Sequence, residues 1–347
     1  MNANFPLVIA DHVNARFNGE GIFNAIAPHQ EVRQGNHPNL QGLFTEVKIT
    51  LEKRLGSRRS IIIETRRGFF DEVVRKVHSE QPRGSIVIED GGRQHSDRPY
   101  NEAALQTIEE VIGLLDPVHG TLRVGNENYY GRSTDAMVRD VVLVMEQHAP
   151  RMVKKLSLYS RYPNLINRFL RNIRIGSLKN LEVNFGNTAQ ARFDQLPYFR
   201  AHIPHLESLT INGNMAVPLH MLSHLQHAFA RIQPFEMEEV NAYKLSILER
   251  GVLREHRLVV SHPEIERVLI RPQERFEASL NQYDENSAVQ EFTDRGFYEF
   301  DEEGLLPDWI FRFNRSENEF LMISAAFPGV MMLKKQVVDL AQIGRLD

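Results

Sequence analysis

The chain has 347 residues, no cysteine and a net charge of −4, and 42% of its residues are hydrophobic and 25% charged. These are ordinary values for a folded globular protein, and the absence of cysteine excludes a disulfide scaffold, thiolate catalysis and cysteine-ligated zinc. No apolar run reaches the roughly 18 residues of a transmembrane helix, and the N-terminus lacks the features of a secretory signal. We therefore expect no membrane segment and a cytoplasmic or nuclear location.

A cluster of basic residues lies between positions 53 and 67, where it comprises Lys53, Arg54, Arg58, Arg59, Arg66 and Arg67. A chain with an overall negative charge lacks the electrostatic footprint of a nucleic-acid-binding protein. Since a solvated hairpin edge accounts for such a cluster, we expect no nucleic-acid partner.

The first 39 residues contain apolar residues at spacings that predict two short helices. Pro6 suits the first turn of a helix, and Gly19 and Gly21 interrupt the pattern. Segments of this size are too small to fold alone. We therefore expect residues 1–39 to be a helical segment that either caps the rest of the chain or docks on another protein.

Strands and helices alternate after this segment. The patterns of Phe44–Leu51 and Ser60–Glu64 predict a pair of strands, and Ile86–Ile88 and Leu122–Val124 predict two more. Apolar stripes at helical spacing predict helices between the strands, and these stripes lie in residues 69–77, 104–115 and 137–145.

The segment Leu206–Asn214 fits the leucine-rich-repeat pattern L-x-x-L-x-L-x-x-N position by position. Leu209 and Ile211 alternate onto one face of a short strand, and Asn214 can hydrogen-bond its own turn. The same frame recurs around three other strand positions: Leu156, Leu181 and Phe235.

These strand positions are about 25 to 28 residues apart, within the range of leucine-rich repeats. Helical stripes follow two of the strands, one from Leu165 to Ile173 and another from Leu222 to Ile232. We therefore predict an α/β fold in which residues 40–272 form a leucine-rich-repeat-like solenoid of alternating short parallel strands and helices. A compact wound sheet with parallel strands is the alternative.

Residues 273–347 depart from the repeat. Trp309–Asn314 and Glu319–Ser324 alternate around a polar turn, which predicts a β-hairpin, and Lys334–Ile343 has the spacing of a closing helix. A β-rich cap would cover the open sheet edge that the last repeat leaves. A partner-binding surface fits the same segment.

The order of these elements resembles that of a known family. Phe5-Pro6-Leu7, Val13, Phe17 and Ile22-Phe23-Asn24 resemble a divergent F-box. The strand pair, the leucine-rich units and the late hairpin follow in the layout of nematode F-box proteins that carry F-box-associated, leucine-rich-repeat-like domains. The resemblance covers most of the chain as order and pattern.

The resemblance implies a substrate adaptor in a cullin-based ubiquitin ligase, with no catalytic step and no cofactor of its own. Its F-box would bury six apolar side chains against a Skp-type adaptor subunit: Leu7, Val13, Phe17, Ile22, Phe23 and Ile26. Apolar anchors at helical spacing suit the groove of a partner. The alternative is a leucine-rich-repeat scaffold or binding protein with no ubiquitin role, in which residues 1–39 are only a cap.

Sequence motifs of phosphate, dinucleotide, metalloprotease and hydrolase sites are absent, and we expect the chain not to be an enzyme. His220, His224 and His227 have the spacing of one helix face and form a weak candidate for a zinc site. The apolar residues of that segment define a different face. We therefore interpret the histidines as a solvated flank and expect no metal.

The recognition surface expected of a solenoid consists of exposed strand positions. Here these are Tyr159, Glu182, Asn184, Thr210, Asn212, Glu236 and Glu238. The set is polar with few anchors, which predicts a modest interface, or one that loops such as residues 91–100 and 125–133 complete.

Overall fold

The computed structural model describes residues 43–53, 59–68, 73–89, 92–125, 132–147, 150–186, 192–235, 237–260, 309–313, 316, 319–327 and 330–337. The chain divides into two units, Met1–Gln41 and Gly42–Asp347, and every element given below belongs to the second unit. The F-box-like residues Leu7, Val13, Phe17, Ile22, Phe23 and Ile26 lie outside the described residues.

The strands of the described residues join in one large sheet. They are β1 (Glu46–Lys53), β2 (Arg59–Arg66), β3 (Val74–Glu80), β4 (Ser85–Glu89), β5 (Gly92–Ser96), β6 (Thr121–Val124), β7 (Lys155–Tyr159), β8 (Asn180–Asn184), β9 (Ser208–Asn212), β10 (Ala216–Val217), β11 (His227–Ile232), β12 (Glu255–Val260), β13 (Trp309–Arg312), β14 (Glu319–Phe327) and β15 (Val330–Val337).

Helices connect several of these strands. The α-helices are α1 (Tyr100–Gly113), α2 (Arg132–Glu146), α3 (Pro163–Arg171), α4 (Pro197–His202) and α5 (Met237–Arg250), and short 3-10 helices span Phe193–Gln195, Ile203–His205 and Leu219–Met221.

The sheet runs in the order β13-β14-β15-β12-β11-β9-β8-β7-β6-β1-β2-β3-β4-β5, with β10 beside β11. Pairing is parallel from β1 through β6 to β12. Both ends are antiparallel: β1 to β5 form a meander, and β12, β15, β14 and β13 pair in turn.

The predicted leucine-rich-repeat-like solenoid is wrong, because the chain forms a mixed α/β structure around one sheet with antiparallel ends. The connections explain the difference. Adjacent antiparallel strands need only short turns, such as residues 81–84 between β3 and β4, whereas a repeat needs a crossover each time. The apolar stripe at residues 69–77 illustrates the error, since Val74 and Val77 belong to strand β3 rather than to a helix.

The predicted strand around Phe235 is also wrong. The strand of that region is β11, and Leu222 to Ile232 is therefore not a helix. Ala228, Ala230 and Ile232 are buried in alternation along β11, which is the period of a strand. Phe235 lies after this strand, and α5 begins two residues later, at Met237.

Several local predictions are confirmed. The strand pair is β1 with β2, the stripes at residues 104–115 and 137–145 fall within or next to α1 and α2, and the late hairpin is β13 with β14. The predicted closing helix is wrong over Lys334 to Val337, since these residues pair as part of β15. Residues 338–347 lie outside the described residues.

The core lies between the sheet and the helices. Leu156, Leu181 and Leu209 occupy neighbouring positions on β7, β8 and β9, and they belong to one buried cluster with Ile108 of α1 and Phe169 of α3. Burial of large apolar side chains is the main favourable contribution to folding. No helix of the described residues is long and apolar enough to span a bilayer.

A buried carboxylate positions α2 against the end of β7. Asp135, in the first turn of α2, accepts hydrogen bonds from the Ser160 hydroxyl at 3.0 Å and from the backbone nitrogen of Arg161 at 3.1 Å. It also accepts from Nε and Nη2 of Arg161 at 2.9 and 2.8 Å. This bidentate geometry is the strong form of a charge-assisted hydrogen bond. It ties the first turn of α2 to the segment between β7 and α3.

Among the buried histidines of the described residues, His78 and His256 have strongly lowered pKa values and are neutral. Burial and the nearby Lys76 charge lower the pKa of His78 to about 4, and burial lowers the pKa of His256 to about 3. His256 donates from Nε2 to the Leu225 carbonyl and accepts at Nδ1 from the Tyr243 hydroxyl. Neither ring nitrogen of His78 has a hydrogen-bond partner among the described residues.

We expect the free energy of unfolding to fall as the pH is lowered from about 6.5, the ordinary pKa of histidine. Above that pH both histidines are neutral in the folded and unfolded states. Below it the unfolded chain binds protons that the folded chain does not, down to the folded pKa values of about 4 and about 3. Each histidine therefore contributes a slope of about 1.4 kcal/mol per pH unit.

Urea unfolding of the His78→Leu variant between pH 7.5 and 4.5 measures this slope. The variant lacks the two unpartnered nitrogens, so we expect it to be more stable than the parent by about 1 kcal/mol at neutral pH. Its slope in the acidic range should be smaller by about 1.4 kcal/mol per pH unit. An unchanged slope would show that His78 is not buried in neutral form.

Candidate interaction surface

The side of the sheet opposite the helices carries rows of polar and charged side chains, and we call it the polar face. One row crosses neighbouring strands at Lys48, Arg123, Ser157, Glu182 and Thr210. Side chains alternate between the two faces of a strand, so the leucines and valines between these positions face the helices. The parallel register therefore sets polar side chains about 4.8 Å apart in a continuous line.

Ion pairs order the end of the polar face that lies on β1, β2 and β3. Glu64 lies 3.2 Å from Lys48 and 3.5 Å from Arg75, and Glu46 lies 3.2 Å from Arg123 and 3.9 Å from Arg66. These side chains are partly exposed, so each pair contributes only about 0–1 kcal/mol. Their effect is to hold alternating charges in fixed positions across the strands.

Glu182 forms the centre of the polar face and is itself buried. One carboxylate oxygen accepts from the Ser157 hydroxyl at 2.8 Å, and the other accepts from the Tyr159 hydroxyl at 3.2 Å. A buried carboxylate needs such donors, because an unsatisfied charge away from water is costly. This cluster therefore joins β7 to β8 and leaves the half-exposed neighbours to meet a partner.

Basic side chains flank Glu182 along the polar face. Lys155 lies on β7, where burial, together with Lys154 and Arg123, lowers its pKa. On the other side Arg231 of β11 has a pKa lowered by burial, and Arg257 of β12 forms an ion pair with Glu255. Partly buried cations of this kind suit carboxylates or backbone carbonyls of a protein partner.

The structure brings five of the seven predicted recognition residues together. Tyr159, Asn184 and Asn212 form one row across β7, β8 and β9, and Glu182 and Thr210 lie in the adjacent row. The expectation that all are exposed is wrong: Tyr159, Glu182 and Thr210 are buried, whereas Asn184 and Asn212 are half-buried. The alternation within a single strand does not reveal which of its polar positions are buried.

Of the other two predicted residues, Glu236 lies outside the described residues, and Glu238 belongs to α5 rather than to a strand of this surface. Both were assigned from the repeat frame around Phe235. Glu238 departs from the surface because that frame does not form a strand.

The three candidate histidines do not share a helix face. His220 is exposed in a 3-10 turn, His224 donates from Nε2 to the Ile203 carbonyl at 2.9 Å, and His227 begins strand β11. Burial lowers the pKa of His224 and that of His227. Among the described residues no three histidine, aspartate or glutamate side chains converge in a way that could hold a metal ion.

Sequence reasoning missed the cations of the polar face. Arg123 and Lys155 stand at alternating positions within strands that also contain Leu122, Leu156 and Leu158. The alternation of a charged with an apolar residue was the available signal, since it marks a strand with one buried and one polar side. It does not reveal which strands become neighbours.

Comparison of the chain with protein-family models, curated proteins and solved structures gives no match. The geometry of the sheet and the sequence resemblance to F-box proteins are therefore the grounds on which a function is proposed.

We expect the Glu182→Gln variant to be less stable than the parent by about 2 kcal/mol, because hydrogen bonds to a charged acceptor are worth about 1.5–3 kcal/mol. In this variant, the amide nitrogen that replaces one carboxylate oxygen can no longer accept a hydrogen bond from Ser157 or Tyr159. Chemical denaturation measures the change. As a control, the Glu207→Gln variant removes an exposed carboxylate on the connection before β9. Its free energy of unfolding should stay within about 0.5 kcal/mol of that of the parent. Equal stability of the two variants would contradict the role of Glu182.

Proposed function

We propose that this protein is a non-catalytic protein-interaction protein, and specifically a substrate adaptor of the F-box type in a cullin-based ubiquitin ligase. In this proposal residues 1–39 hold a Skp-type adaptor subunit, and the polar face selects the substrate protein. The proposal also places the protein in the cytoplasm or nucleus and assigns it no cofactor.

The observation that best supports a binding role is the row of polar side chains that crosses β1, β6, β7, β8 and β9, before Phe229 of β11 interrupts it. A sheet of parallel strands that is covered by helices on both sides usually has apolar residues on both sides of each strand. Here β7, β8 and β9 instead alternate leucine, valine or isoleucine with serine, glutamate, threonine and asparagine. Such a sheet has one face that packs on helices and another whose chemistry suits a polar partner.

Half-buried side chains of the polar face include Asn184 and Asn212, together with Arg123, Lys155 and Arg257. They offer amide donors and acceptors next to positive charges. This combination fits a substrate segment that presents carboxylates and backbone carbonyls. The buried Glu182 cluster gives this surface a rigid centre, which lowers the entropy lost on binding.

Co-purification of a Skp-type subunit with the full-length chain tests the adaptor role. Phe23→Asp should abolish this association, because a charge at an apolar anchor must be desolvated in the partner's groove. Deletion of residues 1–39 should have the same effect. As a matched control, Leu245→Asp introduces the same charge at a side chain of α5 that is 53% exposed, and this variant should bind as the parent does.

Thermal unfolding of each variant separates loss of binding from loss of folding. No association with the full-length chain, or association that survives both Phe23→Asp and the deletion, would refute the adaptor role. Either result would favour a binding protein with no ubiquitin role, whose substrate surface is the same polar face.

A further inference from the structure

The connections that lead into the parallel strands lie side by side along one edge of the sheet. We call this the entry edge, and it comprises residues 114–120, 150–154, 172–179, 203–207, 223–226 and 251–254. Backbone hydrogen bonds join its members in sequence: Lys154 N donates to Gly120 O at 3.0 Å, Lys179 N to Lys154 O at 2.9 Å, and Glu207 N to Lys179 O at 2.7 Å. The same pattern continues through Gln226 to Arg254. The entry edge is therefore a fixed surface rather than a set of independent loops.

Basic side chains are concentrated on the entry edge at Arg151, Lys154, Arg174, Lys179 and Arg254. None of these five side chains forms an ion pair within the part of the chain that the structure describes. The contrast with the polar face is clear, because Lys48, Arg66 and Arg75 there each lie within 4 Å of a carboxylate.

Two carboxylates on the same edge do not neutralise it. Asp116 is buried and accepts from the backbone nitrogens of Val118 at 2.7 Å and His119 at 3.2 Å, so it belongs to its own turn. Glu207 is exposed and stands between Lys179 and Gln226 in the row of connections. The five cations therefore leave a net positive charge, on a chain whose overall charge is −4.

Large apolar side chains are exposed between the cations. Val118 is 54% exposed, Met152 39%, Ile175 52% and Val252 42%, and they lie on four different connections of the entry edge. The first three lie on the neighbouring connections into β6, β7 and β8, whereas Val252 lies three strands further along, before β12. Exposed apolar side chains are ordinary when they are isolated, but neighbouring ones mark an interaction site. Their alternation with cations requires a ligand that is both apolar and anionic.

A groove with a volume of about 550 Å³ opens at the start of this edge. Its walls include Ile112, Leu122 and Met145 together with Met152 and Arg151. The Nε–H group of Arg151 is buried and has no hydrogen-bond partner within the part of the chain that the structure describes. A buried donor without a partner is costly, and a carboxylate next to an apolar side chain in the groove would satisfy it.

We infer that the entry edge binds an extended acidic peptide of a partner protein, in which carboxylates alternate with large apolar side chains. A carboxylate bonds to Arg151 while its apolar neighbour fills the groove. The remaining carboxylates meet Lys154, Arg174, Lys179 and Arg254. Five strand-to-strand steps separate β6 from β12 in the sheet. At about 4.8 Å each they span about 24 Å, which is the length of about seven extended residues.

This site is separate from the polar face and does not depend on the adaptor role. A peptide fits it better than a lipid surface does, because the apolar side chains at the start of the edge line a groove of about 550 Å³ rather than a flat plane. Among the named residues of the entry edge no aromatic ring offers the stacking platform that single-stranded nucleic acid uses. Charge and shape together favour the peptide.

Fluorescence anisotropy with a labelled synthetic peptide of about seven residues, alternating glutamate and leucine, tests the inference on the full-length chain. Saturable binding that weakens as salt is added is expected, because the contacts are partly exposed. The double variant Lys154→Ala/Arg174→Ala should raise the Kd at least five-fold, and Arg151→Gln should do the same. Arg93→Ala, which removes an exposed cation from β5, should leave the Kd unchanged.

Two further probes decide between this ligand and its competitors. A peptide that alternates glutamate and serine should bind at least five-fold more weakly, because it leaves the groove empty. Equal binding of the two peptides would overturn the inference. So would a rise in Kd in the Arg93→Ala variant as large as that in the Lys154→Ala/Arg174→Ala variant. An absence of peptide binding would also overturn it. If anionic phospholipid vesicles or a uridine-rich RNA bound instead, and lost affinity in the Lys154→Ala/Arg174→Ala variant, the edge would belong to that other ligand.

Discussion

The structure depends on the parallel pairing of β1 with β6, which joins two parts of the chain that are remote in sequence. Val47 faces Leu122 and Ile49 faces Val124 in this pairing, and the backbone nitrogen of Gly125 extends it by donating to Ile49 at 2.9 Å. Gly125 has a φ of 107°, and a Cβ there would lie 2.5 Å from Cβ of Tyr159. The close approach of β6 to β7 therefore requires glycine at the point where β6 ends.

One pairing has consequences for both sides of the sheet. On the helix side, it places Val47 and Ile49 in the same core as Leu156 and Phe169, so the meander and the parallel strands share apolar packing. On the other side it continues the row of charges from Lys48 to Arg123 and on to the Glu182 cluster. The polar face therefore depends on this register and would be divided if the meander formed a separate sheet, whereas the entry edge lies wholly on the β6 to β12 side of the pairing.

The two surfaces differ in how their charges are used. On the polar face, ion pairs and the donors around Glu182 satisfy the charges within the fold, so the proposed recognition role rests on half-buried amides and cations. On the entry edge, side chains such as Arg151 and Arg174 have no counter-charge in the described residues. Charges satisfied internally stabilise the sheet modestly, whereas those without a partner are available to a ligand.

Local features of the fold could be predicted from the sequence, and non-local ones could not. Leu209 and Ile211 alternate strongly enough to identify β9, and the stripes of α1 and α2 have clear helical periods. The strand β11 was missed because its buried positions, Ala228 and Ala230, are weakly apolar, while the larger Phe229 beside them fits a helical period with Leu225 and Leu222.

The candidate surface was predicted only in part, for the same physical reason. The alternation within each strand placed Tyr159, Asn184 and Asn212 on a common side. The hydrogen bonds that Glu182 accepts come from an adjacent strand. The lack of a partner for Arg151 Nε among the described residues depends on which side chains line the groove beside it. Such properties arise from strand order, which a pairing such as β1 with β6 sets across more than 70 residues of sequence.

Engineered disulfides test the β1–β6 pairing most directly, since the chain has no cysteine of its own. The variant Lys48→Cys/Arg123→Cys should form a disulfide on mild oxidation, because neighbouring strands place their Cα atoms within the roughly 7 Å limit for a bridge. The antiparallel pair Lys48→Cys/Glu64→Cys is the positive control, and Lys48→Cys/Ser157→Cys, two strands apart, should stay reduced. A disulfide in the control pair but none between positions 48 and 123 would contradict a single continuous sheet.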